Sequence, residues 1–316
     1  MLEDKKFIGV YTDMCAFFDD NIIDADKNKS DFMKNLSVWR SFGVNLITVG
    51  LQSPSPFAEY YKKAREQDRS AIPAFGSSAL KYDGGLNYDF LENAEEIIRF
   101  ANELGFTVLV NILSPACENI FEDELAVFNG VFNAADWLRG KNFGDILVNI
   151  TDVSHTFYKS GILNGSKIIS LLKSVGERTE NKLILGTGIK SFAGVSERNI
   201  SEYIKASGFI PVYSDYSKSN HNTKKMLEKI YFFREHINKA GVKIPVIIAK
   251  GDDLSERYNS YGRNNLEEAF ENGVSWCYYD PEGFVILKND SESIDWDKNS
   301  SPEKKRFFEF ASNILV

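Results

Sequence analysis

Short apolar runs alternate with longer amphipathic stretches along most of this chain. The runs at 7–11, 44–51, 106–113, 146–151, 183–187, 209–213, 244–249 and 274–279 are rich in β-branched residues and predict buried strands. Between them, apolar positions three and four apart predict helices over 31–42, 88–104, 122–139, 166–175, 197–206, 223–240, 264–272 and 302–315. Gly43 and Gly105 stand where the first two of these helices should stop. Residues 145–155 (Asp-Ile-Leu-Val-Asn-Ile-Thr-Asp-Val-Ser-His) display the design most plainly: an apolar run ends in a carboxylate and an imidazole. Residues 244–253 (Ile-Pro-Val-Ile-Ile-Ala-Lys-Gly-Asp-Asp) repeat it near the other end of the chain.

About eight strand–helix units fit an α/β fold of the (β/α)8 TIM-barrel type, which needs ~250 residues before insertions. A doubly wound open sheet uses the same alternation. Against it, no Gly-x-Gly-x-x-Gly follows the first strand, and the eighth unit fits closure of a ring. One long polar connection, 52–87, follows the second strand and carries Pro54, Pro56, Pro73 and Gly84-Gly85, with a short helix expected over 57–69. A second long loop follows the eighth strand. Connections of that length in a compact domain are usually functional. With no linker, low-complexity segment or obvious repeat, the chain reads as a single domain, 1–316.

Composition narrows the function classes. A 43% hydrophobic and 13% aromatic content is that of a soluble globular protein. The net charge of −8, with no basic run to follow a phosphate backbone, argues against nucleic acid as a partner. No stretch reaches the roughly eighteen apolar residues of a membrane helix, and no apolar segment of signal-peptide length precedes the first strand. As given, the chain is expected to be cytoplasmic. Cys15, Cys117 and Cys277 are odd in number and widely spaced, and read as buried free thiols. No His/Cys/Asp/Glu set has metal-ligand spacing, so neither a metal nor a cofactor is implied. Nothing in the sequence fixes the oligomeric state.

In a barrel of parallel strands the active site lies at the carboxyl ends of the strands. Reading those ends collects Gln52, Asn111, Asp152, His155, Tyr213, Lys250, Asp252, Asp253, Trp276 and Tyr278. Amides and charges interleaved with aromatic rings suit a carbohydrate, whose hydroxyls need donors and acceptors while its apolar face packs on a ring. Each residue also has a plainer role open to it. Trp276 is as readily a core filler, His155 a partner within its own loop, and Asp252-Asp253 a helix N-cap. Lys250 can form an ion pair with either aspartate.

A series of segments in order carries a resemblance. Met14-Cys-Ala-Phe-Phe-Asp19-Asp20, Gly43-Val-Asn-Leu-Ile-Thr-Val-Gly-Leu-Gln52-Ser-Pro-Ser-Pro56, Asn133-Ala-Ala-Asp-Trp137-Leu, Gly273-Val-Ser-Trp276-Cys-Tyr-Tyr-Asp280 and Lys304-Lys-Arg-Phe-Phe-Glu span almost the whole chain. Together they resemble an uncharacterised group of glycoside-hydrolase-like (β/α)8 proteins related to the cellulase-type clan A. In that clan a Glu after Asn at the end of the fourth strand is the acid/base, and a Glu ending the seventh is the nucleophile. Read without gaps, those pairs fall here on Asp152-Val153 and Lys250-Gly251.

The resemblance therefore implies one of two outcomes. In the first, the chain is a hydrolase of oligo- or polysaccharides whose carboxylates stand one position away, Asp152 as general acid and Asp252 as nucleophile or base. Gln52, Asn111, His155, Tyr213, Lys250, Asp253, Trp276 and Tyr278 would then bind the sugar. In the second, the barrel has lost its catalytic pair and holds a glycan without cutting it. A third class of chemistry, a Schiff base between Lys250 and a carbonyl substrate, needs a desolvated lysine of lowered pKa.

Overall fold

The computed structural model describes residues 5–12, 24–52, 78–114, 121–151, 165–188, 196–213, 222–251, 270–271, 273–279 and 302–314. Among them strands and helices alternate: Ile8–Thr12 (β1), Ala25–Ser41 (α1), Leu46–Gly50 (β2), Tyr88–Glu103 (α2), Thr107–Leu113 (β3), Glu124–Lys141 (α3) and Ile146–Thr151 (β4). There follow Gly165–Arg178 (α4), Ile184–Gly186 (β5), Glu197–Ala206 (α5), Ile210–Tyr213 (β6), Asn222–Ala240 (α6), Val246–Gly251 (β7), Ser275–Tyr279 (β8) and Pro302–Ile314 (α7). All eight strands predicted from the apolar runs are present.

The first helix begins at Ala25, well before residue 31 where its apolar spacing first becomes visible. Asp24 caps it, its carboxylate accepting the Lys27 backbone N–H at 2.9 Å. Ala25, Asn28, Phe32, Leu36 and Trp39 form its buried stripe, so the stripe runs through a turn that reads as polar in sequence. Asp123 and Ser196 cap α3 and α5 in the same way. The expected helix over 57–69 lies outside the described residues, as does 264–272 except for 270–271.

Every strand pairing is parallel, and the hydrogen-bonded order is β5-β4-β3-β2-β1-β8-β7-β6. Successive strand residues face opposite sides. Phe7, Leu46, Leu109, Leu147, Phe209, Ile247 and Cys277 form an inner core. Ile8, Val10, Ile47, Val49, Val108 and Val110 belong to a larger outer core shared with the helices. Two-sided burial explains why these strands read as unbroken apolar runs.

The ends of that order, β5 and β6, meet at a glycine seam. The Gly208 N–H donates to the Leu185 carbonyl at 2.7 Å, and the Tyr203 hydroxyl donates to the Thr187 carbonyl at 2.6 Å. A Cβ on Gly186 would meet the Phe209 ring at 2.8 Å, and one on Gly208 would meet Ile184 Cγ2 at 2.6 Å. The sheet thus comes round into a nearly closed barrel. The architecture is the (β/α)8 barrel expected from the sequence.

Candidate functional site

Because all eight strands are parallel, their carboxyl ends share one rim. The interior changes character on the way up to it. Thr48, Leu109, Leu147 and Ile184 form one row across β2 to β5. Two residues higher on each strand the row reads Gly50, Asn111, Asn149, Gly186. Asn149 Nδ2 donates to Asn111 Oδ1 at 2.7 Å, with both residues buried. The Tyr11 hydroxyl lies 3.6 Å from where a Gly50 Cβ would be, so a phenol closes on the row from β1. Thr151 at the end of β4 is also fully buried and pairs in register with Leu113.

This gradient has a physical reading. Buried amides need hydrogen-bond partners, so the two asparagines stand side by side and bond to each other, above a row that is mainly hydrocarbon. Asn149 and Thr151 were not singled out in the sequence, yet a signal was there. Leu109-Val-Asn-Ile112 and Leu147-Val-Asn-Ile150 are the same tetrapeptide, and the sheet sets them side by side in register.

Gln52 is buried to 1% exposure just past β2. Its Oε1 accepts the Ser114 backbone N–H at 3.0 Å, and its Nε2 lies 3.5 Å from Ser78 Oγ. The side chain therefore ties the end of β2 to the end of β3 and to the segment that returns from the long connection. That segment forms a small hairpin, with Ser78 bridged to Gln52 and Leu80 to Leu86. Its turn residue Gly84, at φ +81°, rests on α3, where Asn133 Nδ2 donates to the Gly84 carbonyl at 3.0 Å.

Three further candidates lie on strands that reach the rim. Tyr213 ends β6 and pairs with Lys250 on β7 across a register shift, and Tyr278 on β8 pairs with Gly251 and with Val10. Trp276 is placed elsewhere. It pairs with Ile8 and Ile248, belongs to the outer core and is 2% exposed. Cys277 takes the neighbouring inward position, so alternation turns the indole towards the helices, and Trp276 fills the core instead of lining the mouth. Asp152, His155, Asp252 and Asp253 lie outside the described residues. Of the cysteines, Cys277 is described and is a buried free thiol. Among the described residues no group of three or more His, Cys, Asp or Glu is arranged to hold a metal ion, and no helix is long and apolar enough to cross a membrane.

Solved structures resemble this arrangement over nearly its full length. An endo-1,4-β-D-mannanase from Thermotoga petrophila matches at TM-score 0.58 and 12% identity, covering 98% of this chain and 100% of the other. An endo-1,4-β-mannanase from Rhizomucor miehei matches at TM-score 0.54 and 10% identity, covering 90% and 91%. A triply substituted endo-β-1,4-glucanase from Xanthomonas axonopodis pv. citri matches at TM-score 0.58 and 10% identity, covering 98% and 100%. The likeness is one of fold. No protein-family model matches the sequence, and no curated protein matches it. The three-dimensional match falls on the same kind of enzyme as the resemblance drawn from the ordered segments.

Proposed function

We propose that this chain is a glycoside-hydrolase-like barrel that takes an oligo- or polysaccharide at the rim where its strands end. The observation that carries the reading is the full-length fold likeness to glycan hydrolases, in a chain whose β4 and β7 end immediately before a carboxylate. Asp152 follows Thr151, the last residue of β4, and Asp252 follows Gly251, the last residue of β7. The buried amides of Asn111 and Asn149 stand on the inner face of the same end of the barrel.

In the hydrolytic reading Asp152 gives its proton to the glycosidic oxygen as the C–O bond breaks. Asp252 either attacks the anomeric carbon or takes a proton from the water that does. Retention needs carboxyls ~5–5.5 Å apart and inversion ~6.5–9.5 Å. Each aspartate is one methylene shorter than glutamate, which can widen a retaining pair by roughly 2 Å towards the inverting range. A Lys250 ammonium near Asp252 would keep that carboxylate ionised, as a nucleophile or base requires.

A second reading has its own support. Val153 and Gly251 occupy the positions where clan A has its two glutamates, which is the pattern that loss of catalysis leaves behind. Incubating the purified chain with a broad set of oligosaccharides separates the two. Turnover that Asp152→Asn lowers at least a hundredfold supports hydrolysis, and saturable binding without turnover supports the glycan-holding barrel. Neither turnover nor binding across the set would remove both.

A further inference from the structure

At the opposite end of the barrel, where the strands begin, a cavity of about 740 Å³ lies between α6 and the starts of β1, β7 and β8. Lys5, Lys6, Arg234 and Lys243 line it, and among the described residues no aspartate or glutamate does. That is unexpected in a chain with 45 acidic and 37 basic residues. Lys5 is neutralised from outside the lining, through its ion pair with Asp145 and a 2.8 Å hydrogen bond to Thr107 Oγ1. The other three cations have no ion pair among the described residues.

The fold holds these cations in place. Asn45 Nδ2 donates to the Lys6 carbonyl at 2.9 Å, and the Lys6 ammonium stands 4.8 Å from the centre of the Phe270 ring. The Arg234 guanidinium crosses over Gly273, where a Cβ would come within 2.9 Å of Nη2. Gly273 also has φ +72°, so glycine answers both the backbone and the guanidinium. Tyr231, 48% exposed, stands on the same wall, and Ile237, Val242 and Val246 supply apolar surface.

We propose that this cavity binds a small phosphate-bearing molecule of charge −2 or greater. Cations approach from three separate elements, so the ligand needs oxygens pointing in several directions, which a tetrahedral phosphate offers and a planar carboxylate does not. A guanidinium matches two phosphate oxygens at once, and lysines serve as additional point charges. The volume falls within the ~300–1,000 Å³ of small-molecule sites. The apolar wall and the Tyr231 ring are placed to hold the organic part of such a ligand. The site is on the face away from the glycan rim, so the two ligands do not compete.

Calorimetric titration of the full chain with inorganic pyrophosphate at low salt tests this, with citrate at matched ionic strength as a polyanion that carries carboxylates in place of phosphates. Saturable pyrophosphate binding is expected, weakened tenfold or more by Arg234→Gln and by Lys243→Glu, and unchanged by Lys167→Glu on α4. Lys243 is exposed and precedes β7, so its variant keeps the fold and is the deciding arm. Absence of saturable binding, equal affinity in Lys243→Glu, an equal loss in Lys167→Glu, or citrate binding as tightly as pyrophosphate would each overturn the proposal. Sedimentation with phosphatidic acid vesicles separates the two sources of such a group. A chain that stays in the supernatant supports a soluble ligand, and co-sedimentation abolished by Lys243→Glu overturns it.

Discussion

Buried in the barrel interior, the Cys277 thiol is surrounded by hydrocarbon and accepts a single hydrogen bond, from Thr48 Oγ1 at 3.3 Å. Burial disfavours the thiolate and pushes the pKa up to about 12, the Thr48 contact working weakly against it. An unfolded thiol ionises near ~8.5, so between there and about 12 the unfolded state binds fewer protons than the native one. Stability present below that window is lost as pH rises through it, by up to about 1.4 kcal/mol per pH unit. Denaturant titrations between pH 8 and 11 should therefore show a steeper alkaline loss in the native chain than in Cys277→Ala. Equal slopes would mean that the thiol is not sealed. The sequence reading of a free buried cysteine reaches this far for Cys277, because a lone apolar-flanked thiol has few other fates. It could not supply Thr48 as the partner, which comes from a strand 229 positions away in sequence.

Elements are governed by what their ends and crossings allow. The hairpin at 78–87 is fixed to α3 by Gly84, whose φ of +81° is costly for any other residue and whose added Cβ would run into the Ala126 carbonyl and come within 2.8 Å of the Gly130 amide nitrogen. Gly84→Ala is expected to destabilise the chain by about 1–3 kcal/mol, read as a lower urea midpoint. Gly140, exposed on the same helix with nothing within 4 Å of its would-be Cβ, gives the opposite sign: Gly140→Ala should stabilise by roughly 0.5–1 kcal/mol. If both changes move the midpoint the same way, the close crossing of hairpin and helix is wrong. Strand positions were legible because two-sided burial writes itself as an apolar run. The start of α1 was not, because its first turn hides a buried stripe among Asp26, Lys27 and Lys29.

For the whole molecule the decisive feature is that β5 and β6 come together. The seam relies on glycines where a side chain would collide with the neighbouring strand, and on the Tyr203 hydroxyl reaching the Thr187 carbonyl. Gly186→Ala should cost about 1–3 kcal/mol through overpacking against Phe209. Tyr203→Phe should cost a similar amount by leaving a buried carbonyl without its donor, at about 1–3 kcal/mol. Hydrogen exchange at the Gly208 amide should quicken in both variants, and a seam amide unaffected by either would argue against closure there. The four cations of the cavity at the other end belong to this scale too. Lys5 and Lys6 stand more than two hundred positions from Arg234 and Lys243 in sequence, and the pairing of β8 with both β1 and β7 makes them neighbours.

The order of strands and helices was determined by the sequence alone, since burial on two faces or one leaves a period that a single chain cannot conceal. So was the change from apolar to amide residues towards the strand ends, seen at Gln52 and Asn111. Which side chains enter the interior was decided by tertiary structure. Alternation along β8 sends Cys277 inward and Trp276 outward, and the choice depends on register with β1 and β7, which no local pattern records. Tertiary structure also turned two copies of Leu-Val-Asn-Ile into one hydrogen-bonded pair of amides, and two distant basic segments into one cavity. The physical reason is the same in each case: local sequence fixes how a residue's backbone runs, whereas the partners that satisfy its polar groups and charges arrive from strands far away in the chain.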